Sequence, residues 1–271
     1  MSKSIDKTEI RFAANREDQD FPEWTAKVPE RCYIIASTPR CGSTLLSKAL
    51  AATGLCGRPH EYFNHLHVED FDRRWDFFPP DLITKNSLAR GRRRPVPDLG
   101  RYTSGLIRHR TSPNGVFGAK IHYCHIDSPM MGGVWPHQLF PGARFIHISR
   151  ENTVRQGVSH VKKGLLGVEQ TANAKNRHKL VYDGESLLSS VRWMEEQNRA
   201  WTKYFDRFQL PVFPISYEEI VGNYEEGIRS VLSFLEIDFP GTFEEPPTRS
   251  ESDEYNEDWE RRFRKEFGKV V

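Results

Sequence analysis

Arg40, Ser43 and Thr44 crowd a turn that also holds Gly42, directly after the apolar run Cys32-Tyr-Ile-Ile-Ala-Ser37. Such a turn is suited to holding a phosphate. If a helix starts at Ser43, the backbone N–H groups of Cys41, Gly42, Ser43, Thr44 and Leu45 are its unpaired N-terminal donors, and the helix dipole adds to their pull on an anion. Arg40 supplies a fixed cation, and Ser43 and Thr44 supply hydroxyl donors. A nucleoside triphosphatase loop, G-x-x-x-x-G-K-[ST], carries a lysine that reaches the terminal phosphates. Here Ser43 follows Gly42 and the first glycine is missing, which argues against ATP. Where a cysteine phosphatase loop needs an arginine, Cys41 is followed by Ser47 and Cys56 by Tyr62, so covalent cysteine chemistry is not supported.

A second phosphate contact is suggested by Arg150, just past an apolar run, and by Ser159 on the helix that follows. At about 1.5 Å of rise per residue their backbones stand roughly 10 Å or more apart, so both reach one phosphate only through the length of the arginine. The elements that must carry these residues are legible. Strands are expected over Cys32–Ser37, Val116–Ile121, Arg144–Ser149 and Val212–Ile215, each short, apolar or β-branched and bounded by turn residues. Helices are expected over Ser43–Thr53, ended by Gly54; over Asn152–Lys163, capped by Asn152 and ended by Gly164; over Glu185–Phe208; and over Tyr217–Leu235. This alternation predicts a P-loop-like, three-layer α/β domain with a central parallel sheet flanked by helices, its ligands bound at the carboxyl ends of the strands. Lys120 ends a strand that points at that same edge. Trp193 and Trp201, eight apart on the longest helix, read as core.

The chain has 271 residues, enough for one such domain over residues 31–271 behind a polar N-terminal extension, residues 1–30. Its 37% hydrophobic and 28% charged content fits a globular protein. No apolar run approaches the ~18 residues that span a bilayer, and Met1–Asp20 lacks the apolar core of a signal peptide, so a cytoplasmic protein without membrane insertion is expected. Four cysteines without metal spacing read as plain thiols, and no metal site is expected. A formal charge of +2 gives no field to recruit nucleic acid. The basic run Ala89-Arg-Gly-Arg-Arg-Arg-Pro-Val-Pro reads as a solvated loop, or as a flap that attracts an anionic ligand.

Thr38-Pro-Arg-Cys-Gly-Ser-Thr-Leu-Leu46 resembles the 5′-phosphosulfate loop of sulfotransferases that use 3′-phosphoadenosine-5′-phosphosulfate (PAPS). The chain is most similar to the bacterial trehalose 2-sulfotransferase family. The similarity continues through Ala52-Thr-Gly, Gly57-Arg-Pro-His-Glu-Tyr-Phe63, Ser112–Lys120, Phe145–Arg150 with Gln156-Gly-Val-Ser159, and Arg249–Trp259. This resemblance implies PAPS as sulfuryl donor, a carbohydrate or glycoconjugate acceptor that is trehalose-like, and a homodimer. It also implies Arg150 and Ser159 at the 3′-phosphate, Arg249 near the donor, and Glu61 as general base. His60, Phe63, Asn64 and His65 adjoin Glu61 and are candidates for the acceptor pocket. His122 lies where animal sulfotransferases place a Lys-x-His pair whose histidine is the base, and Lys120 is the lysine of that pair. A glutamate with raised pKa and a neutral histidine can both accept a proton near neutrality, so the residues alone leave Glu61 and His122 both open. Arg40 would neutralise the departing 5′-phosphate. Two other readings stay open: a PAPS-binding module without turnover, and a nucleotide-dependent kinase of related fold, which the missing Gly-Lys pair disfavours.

Overall fold

The computed structural model of the chain describes residues 20–64, 67, 71, 74, 75, 99–127, 131–166, 180–243, 245, 246 and 254–268. Four strands, β1 (Arg31–Ser37), β2 (Val116–His122), β3 (Arg144–Ser149) and β4 (Val212–Ser216), form one parallel sheet in the order β2-β1-β3-β4. All four expected strands are present, within a residue at each end. β1 is an inner strand, and its stretch Tyr33–Ala36 is apolar and buried because both its faces are covered. Its side chains alternate: Tyr33 and Ile35 join a core with Ile146, Ile148 and Leu46, while Ile34 and Ala36 join another with Phe117, Phe145 and Trp201. The three layers follow from that alternation.

Among the described residues the helices are α1 (Ser43–Ala52), α2 (Leu99–Arg110), α3 (Tyr123–Ile126), α4 (Pro136–Leu139), α5 (Thr153–Leu166), α6 (Gly184–Phe208), α7 (Tyr217–Gly222), α8 (Tyr224–Phe234) and α9 (Glu254–Phe267). Asn152 caps α5 as expected, its Oδ1 accepting from Arg155 N at 3.0 Å. The apolar stripe of α6 is buried at Leu187, Leu188, Val191, Met194, Trp201 and Phe205. Gly157 lets α5 and α6 approach closely: a Cβ there would lie 2.9 Å from Val191 Cγ2 and 3.0 Å from Leu187 Cδ1. Val154, Val158, Trp259 and Phe263 then close a third apolar cluster between α5, α6 and α9.

One expectation needs correction. The helix expected over Tyr217–Leu235 is two helices, α7 and α8, broken at Asn223. Each piece has its own start signal: Ser216 Oγ accepts from Glu219 N at 3.0 Å, and Asn223 Oδ1 from Glu226 N at 3.4 Å. The expected extension is anchored at its inner end, where Phe21 N and Trp24 N donate to His109 O and Arg108 O at 3.0 and 2.8 Å. Phe21 is buried beneath the Arg58 guanidinium. The four cysteines are free thiols. His65, the basic run at residues 89–97 and Arg249 lie outside the described residues.

Candidate active site

Register brings the strand ends together. Ser37 pairs with His122 across β1 and β2, and Ser149 with Ser216 across β3 and β4. From Ser37 the chain turns through Thr38–Gly42 into α1. Cys41 N donates to Thr38 O at 3.4 Å, so this N–H closes the turn instead of facing a ligand, and the Cys41 thiol is fully buried. Gly42 is the N-cap of α1 at φ 92° and gives no side-chain cap, and the first turn has no acidic residue. The N–H groups of Ser43, Thr44 and Leu45 therefore have no capping acceptor from Gly42.

Gly42 also admits Tyr217, because a Cβ there would lie 2.5 Å from Tyr217 Cδ2. The Tyr217 ring carries the Arg150 guanidinium 4.8 Å from its centroid. Arg150 Nη1 donates to Arg40 O at 3.4 Å, while Arg150 Nε is buried without a hydrogen-bond partner, 3.9 Å from Glu218 Oε1. Arg40 takes a positive φ of 64° and its Nε donates to Ser159 Oγ at 2.8 Å. Gln156 Nε2 holds the turn from α5, donating to Thr38 Oγ1 at 2.8 Å and Pro39 O at 2.7 Å.

A second cluster abuts the first. Lys120 Nζ lies 3.0 Å from Glu61 Oε1 and donates to Thr44 Oγ1 at 3.3 Å. His122 Nε2 lies 3.2 Å from the same Glu61 oxygen, and Asn64 Nδ2 donates to Glu61 Oε2 at 2.8 Å. Burial alone would favour the neutral acid, but the His122 hydrogen bond and the Lys120 charge outweigh it and hold the Glu61 carboxyl well below the usual carboxylate range. An ionised Glu61 can only accept, which fixes the proton on His122. Ser37 Oγ stands 2.9 Å from His122 Nδ1 and 3.3 Å from Ile121 O. Whether the serine donates to Nδ1 or accepts from it, Nε2 bears the hydrogen that faces Glu61.

One cavity of about 810 Å³ joins the clusters. Arg40, Arg150 and Lys163 line it against the single carboxylate of Glu61 among the described residues. That charge balance, the uncapped helix start and the unpartnered Arg150 Nε fit a ligand with more than one phosphate group. A family model described as Stf0 sulphotransferase matches residues 32–266. The chain belongs to the Stf0 sulphotransferase family. It is 26% identical to the trehalose 2-sulfotransferase of Mycobacterium tuberculosis (strain ATCC 35801 / TMC 107 / Erdman), over 87% of this chain and 95% of that protein. With the trehalose 2-sulfotransferase of Mycolicibacterium smegmatis (strain ATCC 700084 / mc(2)155) it shares 25%, over 86% and 94%. Among solved structures it is similar to the sulfotransferase from Alicyclobacillus acidocaldarius, at 15% identity and a TM-score of 0.48 over 90% of this chain and 95% of that one. It is also similar to the sulfotransferase domain from the curacin biosynthetic pathway, at 15% identity and a TM-score of 0.40 over 85% and 83%.

In this sulfotransferase the sequence-derived candidates divide. Arg40, Gly42, Ser43, Thr44, Leu45, Glu61, His122, Arg150 and Ser159 all line the cavity, and Lys120 touches it through Glu61 and Thr44. Two candidates for the acceptor pocket turn away. Phe63 is fully buried between Tyr102 and Phe140, each ring centroid 6.1 Å distant. The His60 ring packs on Tyr62, His67 and Phe71, and burial pulls its pKa down to about 3. Asn64, three residues past Glu61, takes the cavity-facing position instead. Ser159 bonds to Arg40, not Arg150. Tyr217 and Ser37 were missed; nothing local in the sequence marks them, since each acts through a residue distant in the chain. Trp193 was also misread: Trp201 is core, but Trp193 borders the cavity. Among the described residues no His, Cys, Asp and Glu group could hold a metal, and no helix is long and apolar enough to cross a membrane.

Proposed function

We propose that this sulfotransferase moves a sulfuryl group from PAPS to a hydroxyl of a carbohydrate or glycoconjugate, trehalose-like in its chemistry, by direct in-line transfer without a metal or covalent intermediate. The observation that carries the reading is the Lys120 ammonium, 3.0 Å from Glu61 and 3.3 Å from Thr44, which ties a carboxylate to the first turn of the phosphate-loop helix. The donor supplies a sulfuryl group activated by its bond to phosphate. Arg40 and the N–H groups of Ser43, Thr44 and Leu45 hold the 5′-phosphate and stabilise its growing charge. Arg150 and Ser159 hold the 3′-phosphate, and the family resemblance assigns Arg249 to the donor side.

Glu61 accepts the proton of the attacking hydroxyl. His122 already turns its Nε2 hydrogen toward Glu61, which supports a positioning role for the histidine and the base role for the carboxylate. Lys120 restrains that base in the free enzyme. An anion at Thr44 competes for the ammonium, and as Lys120 turns to it the proton affinity of Glu61 rises. We also read the enzyme as cytoplasmic and, from the family resemblance, as a homodimer.

Calorimetry with 3′,5′-adenosine bisphosphate beside ADP and ATP tests the donor assignment. Tight binding of the bisphosphate, weak binding of the others and loss of binding in Arg150→Ala are expected; preference for ATP, or no nucleotide binding, overturns it. Bisphosphate binding with no sulfation of any sugar offered would instead favour a binding module.

A further inference from the structure

We infer that Lys163, in the last turn of α5, is a specificity-determining residue that makes the enzyme prefer a nucleotide with a 3′-phosphate to one without it. The inference rests on the proposed PAPS reading and adds a residue to that phosphate besides Arg150 and Ser159. Lys163 follows Ser159 by four residues, so the two share one face of α5, and both line the cavity. The rise between them is about 6 Å, within the reach of a four-carbon stem. A helical side chain leans toward the helix N-terminus, which carries the half-buried Lys163 back over Ser159. Its neighbour Lys162 has another duty: it is buried and donates to Asn256 Oδ1 at 2.6 Å.

Two other cations gather at the same hydroxyl. Arg40 Nε donates to Ser159 Oγ at 2.8 Å, and Arg150 Nη1 donates to Arg40 O at 3.4 Å. Because Ser159 Oγ accepts from Arg40, its own hydrogen is left to donate to a ligand. The charge of Lys163 reaches this place: burial, then Arg40 and Lys163, push the pKa of the adjacent His160 below its ordinary value. Glu61 is the one carboxylate lining the cavity among the described residues, and Lys120, His122 and Asn64 already engage it. Like charges so gathered repel one another, and an anion seated among them removes the repulsion.

Charge arithmetic points the same way. A phosphate monoester carries nearly two negative charges at neutral pH, and Arg40 is shared with the 5′-phosphate, so Arg150 alone leaves the 3′-phosphate underbalanced. A lysine meets a phosphate as a point charge on a flexible stem and needs no bidentate geometry. A cation in the last turn also suits the negative end of the α5 dipole. That role is indifferent to which nucleotide binds, so nucleotide preference separates the two.

Calorimetry on the full chain with 3′,5′-adenosine bisphosphate and with adenosine 5′-monophosphate, which lacks only the 3′-phosphate, tests the assignment. The wild type is expected to prefer the bisphosphate. Lys163→Met keeps the stem and removes the charge; it should weaken bisphosphate binding about tenfold and hold the monophosphate within about twofold of wild type. Lys163→Arg should keep most of the preference. A wild-type preference that Lys163→Met leaves unchanged overturns the inference while the donor assignment stands. So does an equal loss for both nucleotides, which would make Lys163 part of the fold or of a general cationic field, and so does a Lys163→Arg variant as impaired as Lys163→Met. A wild type that binds the bisphosphate no better than the monophosphate removes the donor assignment and the inference with it.

Discussion

At Glu61 three donors converge on one carboxylate: Lys120 and His122 on Oε1 and Asn64 on Oε2. A carboxylate so well supplied with donors has little proton affinity, and under the proposed base role its strength depends on which donors leave. Glu61→Gln should lower turnover by ~10²–10⁴ while leaving bisphosphate affinity nearly unchanged. Lys120→Met should move the Glu61 titration upward toward ordinary carboxylate values, read from the carbon-13 shift of its carboxyl group, because the principal cation beside it is gone. A wild-type carboxyl that titrates in the ordinary range in the free enzyme would contradict the description of Lys120 as its restraint. The two base candidates left open by the sequence, Glu61 and His122, are thus one hydrogen-bonded unit. Sixty residues of chain separate them, and only the fold, which brings His122 Nε2 within 3.2 Å of Glu61 Oε1, shows that they meet.

At the level of elements, the loop between β1 and α1 is held from two sides, by Gln156 on α5 and by Tyr217 at the start of α7. Gly42→Ala tests the second contact. The substitution puts a side chain at φ 92° and against the Tyr217 ring, and it should destabilise the fold by about 1–3 kcal/mol in urea unfolding. Bisphosphate binding should weaken with it, since Tyr217 carries Arg150. The strands and the three helices around this loop were readable because each joins an apolar period to a cap or a glycine. The break at Asn223 was readable too, from Ser216-x-x-Glu219 and Asn223-x-x-Glu226, but the continuous apolar repeat masked it. The direction in which His60 and Phe63 face was not readable, because proximity in sequence to Glu61 says nothing about how an irregular segment turns. Trp193 was misread as core because its indole suits an apolar face and the period of α6 is silent about what lies against the other one.

For the molecule as a whole, α9 fastens the outer helices. Glu260 accepts from Asn152 and Arg155 on α5 and from Arg264 on its own helix, and Lys162 Nζ donates to Asn256 Oδ1 at 2.6 Å. Burial opposes the Glu260 charge, yet these hydrogen bonds prevail and lower its pKa from 4.5 to about 2. A depressed carboxylate stabilises the fold above its unfolded pKa, and that contribution is lost as pH falls through the folded value. Docking of α9 should therefore loosen between about pH 4.5 and 2, followed through the indole resonance of the buried Trp259, and Glu260→Gln should remove that pH dependence. An indole signal insensitive to Glu260→Gln would show that the apolar contacts of Trp259 and Phe263 suffice.

The segment that carries Glu61 is tied to the scaffold on both sides: Tyr102 Oη donates to Tyr62 O at 2.6 Å and Lys120 N to His60 O at 3.0 Å. Tyr62 and Tyr102 are themselves fully buried in the apolar layer around Phe117 and Phe145. Apolar packing beneath the segment and the position of the Glu61 carboxylate are therefore one property, and a core substitution at Tyr62 or Tyr102 reaches the cavity without touching it.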